Sequence, residues 1–186
     1  MADEKNERLH RTFVAIDFSD NVIKEVARVQ EVLANLKFTG KMTELNNLHL
    51  TLKFLGEINE EKLAEASRRL EKIKFEEMEL KLGDIGTFDR RGSPRIVWIK
   101  VVGKGIFELQ RKVDDIFKDL FRQEGRFMGH VTIARVKYVK DKDYFAEYIK
   151  GIKLKDIKFK IRKFKLKESE LSVMGPVYRD LEVYGL

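Results

Sequence analysis

His49-Leu50-Thr51-Leu52-Lys53-Phe54-Leu55-Gly56 and His130-Val131-Thr132-Ile133-Ala134-Arg135 have one form. Each opens on His-x-Thr and continues as a β-rich run. On a strand, residues i and i+2 share a face, so each stretch presents an imidazole and a hydroxyl together. Leu50 and Val131 point the other way, into apolar packing. Strict alternation puts Arg135 opposite His130, and only a bulge or a reach around the strand end brings it back.

Outward from these two stretches the chain repeats itself. Before the first lies a strand over 11–17, then a helical face of Val22, Val26, Val29, Leu33 and Leu36. After it, with Gly56 ending the strand, come a helix over about 59–73 and a strand around 76–87. Before the second stretch lie a strand over 95–101 and a helical face of Ile106, Leu109, Val113, Ile116 and Leu120. After it come a short helix over about 143–149, closing strands through 157–171 and a last strand over about 178–184. A loop reading over 86–94 separates the halves. The pattern predicts an α/β (α+β) bilobal fold: two pseudo-two-fold-related β-α-β-α-β lobes, largely antiparallel, facing a central cleft with helices outside. Residues 1–10 read as an N-terminal extension. Residues 11–186 read as one domain, with repeat one over about 11–88 and repeat two over about 95–186.

Composition narrows the chemistry. The 186 residues contain no cysteine, which excludes disulfides, thiolate nucleophiles and thiolate zinc sites. Met1 to Arg11 is charged rather than apolar, and no run is long enough to span a bilayer, so a cytoplasmic protein without membrane contact is expected. Charged residues make up 37%, and the net charge is +7. Between Arg135 and Lys167 stand thirteen Lys or Arg against four Asp or Glu, an excess of nine positive charges. Such a stripe suits a polyanion such as nucleic acid, or else a solvated face of the kind thermophiles carry.

Two imidazoles and two hydroxyls converging on one cleft suit phosphoryl transfer. Attacking and leaving oxygens lie on opposite sides of phosphorus, so one imidazole takes a proton while the other gives one. Histidine titrates near neutrality and serves either role. The hydroxyls of Thr51 and Thr132 would donate to nonbridging oxygens. A metal reading fares worse, because two histidines need a third ligand and no His-Glu-x-x-His spacing is present. No metal or cofactor is expected. His10 reads as a bystander. Phe54 reads as core in preference to a base-stacking ring, and Arg90 and Arg91 read equally as loop cations able to meet RNA phosphate or as a solvated loop.

With these flanks the two stretches resemble the signature motifs of the two-histidine (2H) phosphoesterases. They are most similar to the RNA 2',3'-cyclic phosphodiesterases, also called 2'-5' RNA ligases (the LigT or ThpR group). The likeness runs from Arg11-Thr12-Phe13-Val14-Ala15-Ile16 to the end and includes the stretch from Glu168 to Tyr178. It implies a bilobal cleft that opens a terminal 2',3'-cyclic phosphate to a 2'-phosphate. In the reverse sense, a 5'-hydroxyl replaces water and a 2'-5' linkage forms. By motif position His49 would protonate the leaving 3'-oxygen and His130 would activate water. Thr51 and Thr132 would hold phosphate oxygens, and Arg135 would add a positive charge. Gly129 stands where the family often has proline, and Lys41 near a position often aromatic. The expected partner is RNA with a cyclic-phosphate end, tRNA fragments among the candidates, met by a monomer. The rivals are an RNA-binding module without turnover and a 2H enzyme acting on a small cyclic nucleotide.

Overall fold

The structure is a computed structural model and describes residues 8–173 and 175–186. Residues 1–7 of the expected extension, and Met174 of the closing stretch, lie outside the described residues. In chain order the elements are β1 (His10–Asp17), α1 (Asp20–Ala34), β2 (Phe38–Met42), β3 (His49–Ile58), α2 (Glu60–Leu70), β4 (Met78–Arg90) and β5 (Ser93–Val102). They continue with α3 (Lys104–Asp115), β6 (His130–Val139), α4 (Lys142–Gly151), β7 (Lys158–Ile161), β8 (Lys163–Ser172) and β9 (Gly175–Gly185).

Two antiparallel sheets form, with strand orders β3-β1-β8-β9 and β2-β6-β5-β4-β7. The sheets cut across the two halves of the sequence. β4, from the first half, pairs with β5, and β8, from the second, pairs with β1. Each repeat thus sends its last strands into the opposite sheet, and the two lobes share one continuous core. The stretch 86–94 is correspondingly no inter-lobe loop. β4 runs to Arg90, and β5 restarts at Ser93 after a two-residue turn in which Arg91 and Gly92 take φ of 52° and 66°. Positive φ at both central residues matches the twist of a tight hairpin.

The faces away from the cleft are apolar. Val22, Val26, Val29 and Leu33 of α1 are wholly buried, as are Val97 and Ile99 of β5. A fully buried side chain of this kind contributes about 1.5–3 kcal/mol. The spacing of four, three and four in α1 is what lets one helix face bury all four residues. Gln30 of the same helix donates to the carbonyls of Thr43 and Ile133 at 2.7 and 2.8 Å, tying the helix to the cleft strands. Among the described residues, no helix is long and apolar enough to cross a membrane.

Two of the buried polar side chains fasten distant elements together. His10 is no bystander: it opens β1 and is 4% exposed. Its Nδ1 meets Glu168 at 2.6 Å and its Nε2 meets Glu60 at 2.8 Å, so it joins β1 to β8 and α2. Lys53 of β3 is 1% exposed. Its ammonium donates to Asp114 at 2.5 Å and to the Arg122 carbonyl at 2.8 Å. Asp114 in turn accepts from the Glu124 amide at 3.0 Å. The strand that opens on His49 is thereby fastened to the segment that leads into β6.

Candidate active site

β3 and β6 repeat each other in burial residue by residue, from His49–Ile58 to His130–Val139. Both carry a bulge at the same place. β1 pairs Val14 with Lys53 and Ala15 with Thr51, leaving Leu52 extra. β5 pairs Val97 with Ala134 and Trp98 with Thr132, leaving Ile133 extra. Two consecutive residues therefore turn inward in each strand, and alternation resumes with its phase reversed. Arg135 returns to the cleft face beside His130 and Thr132, as its expected role requires. Phe54 does the same beside His49 and Thr51. It is 65% exposed, which overturns its reading as core. No sequence signal marks the bulge, because a one-residue phase slip leaves composition untouched.

The four motif residues and Arg135 line one cleft of about 500 Å³. Its walls also include Phe13, Phe54 and Tyr178 from one sheet, and Lys41 and Ile96 from the other. Each histidine is held by the same device. His49 Nδ1 lies 2.8 Å from the Asn47 carbonyl, and His130 Nδ1 lies 2.8 Å from the Met128 carbonyl. A carbonyl only accepts, so Nδ1 carries the proton in both rings. Nε2 is left as the working nitrogen. The rings are braced by aromatic neighbours: Tyr178 sits edge-on to His49 at 5.0 Å with Phe13 at 4.9 Å, and Phe88 sits edge-on to His130 at 5.0 Å.

Burial pushes the His49 imidazolium down to about 4, opposed by the Asn47 hydrogen bond and reinforced by Lys167 and Arg135. Of the two departures from the family pattern, Gly129 has a packing reason. A Cβ there would come within 2.8 Å of the Val101 carbonyl, whose residue takes the Gly129 carbonyl in a 2.8 Å hydrogen bond. Lys41 pairs in register with Arg135 and is hydrogen-bonded to Glu44 at 2.8 Å, so the cleft has a cation there instead of a ring.

The basic stretch does not line the cleft as a stripe. Lys158 and Lys160 of β7 lie at the far edge of the sheet from β2 and are ion-paired with Glu79 and Glu77. Lys165 and Lys167 of β8 are mostly buried between Asp17 and Asp180. The acidic partners come from elsewhere in the chain, so the local excess of charge overstates the field it makes. Arg135 is the member of that stretch that lines the cleft.

The model of the LigT like Phosphoesterase family matches residues 16–98 and 100–178. A curated relative from Archaeoglobus fulgidus, named RNA 2',3'-cyclic phosphodiesterase, is 35% identical over 94% of this chain and 99% of its own. One of the same name from Methanocaldococcus jannaschii is 35% identical over 90% and 96%. Among solved structures, TT0787 of Thermus thermophilus superposes with a TM-score of 0.80 at 26% identity, covering 95% of this chain and 97% of that one. E. coli LigT in its apo form shares the fold, with a TM-score of 0.73 at 21% identity over 96% and 98%. With both signature strands inside the matched residues and the two-sheet cleft built around them, the chain belongs to the LigT-like phosphoesterase family.

Proposed function

We propose that this protein is an RNA 2',3'-cyclic phosphodiesterase that works by paired imidazole acid–base catalysis without a metal or cofactor. The observation that carries the reading is the matched anchoring of His49 and His130, each fixed through Nδ1 to the carbonyl two residues back. His130 Nε2 takes a proton from water, whose oxygen bonds to phosphorus. The bond from phosphorus to the 3'-oxygen breaks, and His49 Nε2 gives that oxygen its proton. A 2'-phosphate remains. Thr51, Thr132 and Arg135 hold the nonbridging oxygens, where charge accumulates. The acid role of His49 and the base role of His130 rest on motif position. Burial leaves His49 neutral in the free protein, so its acid role requires the anionic phosphate, whose charge beside the ring favours the imidazolium. The substrate is an RNA 3' end, tRNA fragments included, met by a cytoplasmic monomer.

The test is an RNA bearing a 2',3'-cyclic phosphate, incubated with the protein in excess chelator. A 2'-phosphate is the expected product. A 3'-phosphate, or activity restored only by a divalent metal, would overturn the assignment. A small cyclic nucleotide is the second reading, favoured by the neutralised β7 and β8 lysines. Equal kcat/KM for a cyclic mononucleotide and for an oligonucleotide with the same end would support it.

A further inference from the structure

One face of β1 carries Phe13, Ala15 and Asp17, since alternate residues of a strand share a face. On one side of β1, Ala15 pairs with Thr51 and Asp17 with His49. On the other side Phe13 pairs with Lys167 and Ala15 with Lys165, and Lys167 pairs onward with Asp180. The motif residues of β3 and this charged group therefore lie side by side on one surface. Asp17, Lys165, Lys167 and Asp180 do not line the cleft itself.

The lysines reach along the sheet instead of out to solvent. Lys167 stands in register with Phe13, yet its ammonium meets Asp17 Oδ1 at 2.9 Å and Asp180 Oδ1 at 2.6 Å. Lys165 meets Asp17 Oδ2 at 2.5 Å and also pairs with Asp180. Ala15 lies between Phe13 and Asp17, and its small methyl leaves room for both stems to cross. The Lys165 and Lys167 side chains are 14% and 9% exposed. Both oxygens of Asp17 are thus taken by ammonium groups, and two cations with two anions make the group neutral as a whole. His49 spends its Nδ1 on the Asn47 carbonyl. The carboxylate across the ladder from the ring is therefore present but occupied. Cross-strand neighbours stand about 4.5–5.5 Å apart at Cβ, close enough for a bare carboxylate to favour an imidazolium. Burial is the main force keeping the ring neutral; Lys167 adds to it, while the Asn47 hydrogen bond and Asp17 oppose it. The other charged or titratable groups on the cleft walls around the ring are Arg135 and His130 of β6, Lys41 of β2, Glu44, Tyr178 of β9 and Arg11 of β1.

We infer that Asp17, Lys165, Lys167 and Asp180 form a positioning network for His49: the lysines occupy the Asp17 carboxylate, so the ring takes the charge it needs as an acid from the substrate phosphate. This rests on the proposed phosphodiesterase reading, in which His49 protonates the leaving oxygen. None of the four touches the reacting atoms; they act through the ring.

The experiment titrates the histidine ring signals by NMR in the full chain, with and without saturating inorganic phosphate, and uses His49→Gln to assign the His49 signal. In the wild type, phosphate should raise the His49 midpoint. In phosphate, Lys167→Met should raise it further and Asp17→Asn should lower it. Each shift should be about half a pH unit or more, the effect of one unit charge at this range in a partly screened site. Ion pairs that serve only to hold β1 to β8 would leave the midpoint alone, or move it the same way in both variants by loosening the ring's burial. Either result would overturn the inference. So would a wild-type midpoint indifferent to phosphate, a measurement that stands even where a variant fails to fold. The alkaline limb of kcat on an RNA 2',3'-cyclic phosphate should follow the NMR midpoints. Midpoints that move in opposite directions beneath an unmoved limb would put the failure in the acid assignment of His49, not in the network. Absence of hydrolysis itself would count against the underlying phosphodiesterase reading.

Discussion

Protonating His49 in the empty cleft should cost the fold measurable stability. Its pKa is about 4 in the native protein against 6.5 for the free side chain. Between those values the unfolded chain binds more protons than the folded one, so stability falls as pH drops from about 6.5 to about 4 and levels off below. A displacement of this size corresponds to about 3 kcal/mol at full effect. The ring keeps some contact with solvent, so that figure is a ceiling. Carboxylates held low by partners, such as Glu25 and Asp180, also lose stability in acid. Comparison with His49→Gln cancels them. Urea unfolding at half-unit steps from pH 7.5 to 4 gives ΔG for both proteins. The wild type should lose up to about 3 kcal/mol more than the variant. Saturating inorganic phosphate should shrink that difference, since the anion favours the imidazolium. Parallel curves for wild type and variant would refute the account of a desolvated, neutral His49 coupled to phosphate.

Other consequences can be measured directly. His49→Ala and His130→Ala should each lower kcat by about 10²- to 10⁴-fold with the fold intact by circular dichroism, and the double variant should be far from multiplicatively worse. Thr51→Val or Thr132→Val should reduce the chemical rate by about 10²- to 10³-fold while barely changing the affinity for an RNA without a terminal phosphate. Lys53→Met should destabilise by about 3–5 kcal/mol in urea, because Asp114 is left as an uncompensated buried charge, and adding Asp114→Leu should recover most of the loss. Neutralising Lys158 and Lys160 should leave the salt dependence of RNA affinity unchanged, whereas Arg135→Gln should make it shallower by roughly one phosphate contact, about 0.7 in log–log slope.

Much of this architecture is legible in the sequence because it rests on periodicity. The face of α1 buries at the positions its spacing marks, and β1, β3, β5 and β6 fall where the alternating runs lie. What escapes has three physical causes. β2 is an edge strand with an exposed middle, interrupted by Gly40, whose Cβ would collide with the Arg135 carbonyl, so it carries no apolar alternation to detect. The turn at Arg91 and Gly92 reads as a loop when turn chemistry is taken without the strands continuing on both sides. The exchange of β4 and β8 between sheets is a matter of long-range pairing, which chain order does not encode. In the site, His49, Thr51, His130 and Thr132 need only alternation to be placed together. Phe54 and Arg135 need the bulge. Tyr178 and Phe88 need tertiary neighbours.

The repeat explains how one short motif makes an enzyme site, and its broken positions explain why the site has a direction. Two-fold copies of a strand put two imidazoles in opposed positions, the arrangement in-line transfer at phosphorus demands. Perfect symmetry would make the two histidines interchangeable, and neither would be biased toward giving or taking a proton. Five residues after each histidine the copies differ: Phe54 faces the cleft from one sheet and Arg135 from the other. Across the ladder from each histidine they differ again, with Asp17 beside His49 and Lys100 beside His130. A carboxylate neighbour favours a protonated imidazole, so Asp17 biases His49 toward the acid form, against the burial that holds the ring neutral. The bias at His49 is small because Lys165 and Lys167 hold Asp17, while Lys167 itself opposes protonation of the ring. In the proposed mechanism, phosphate held by Arg135 and the two threonines would supply the remaining charge. Under the proposed assignment, proton donation by His49 would be tied to occupancy of the cleft, and the scaffold's symmetry would yield to a single direction only when substrate is bound.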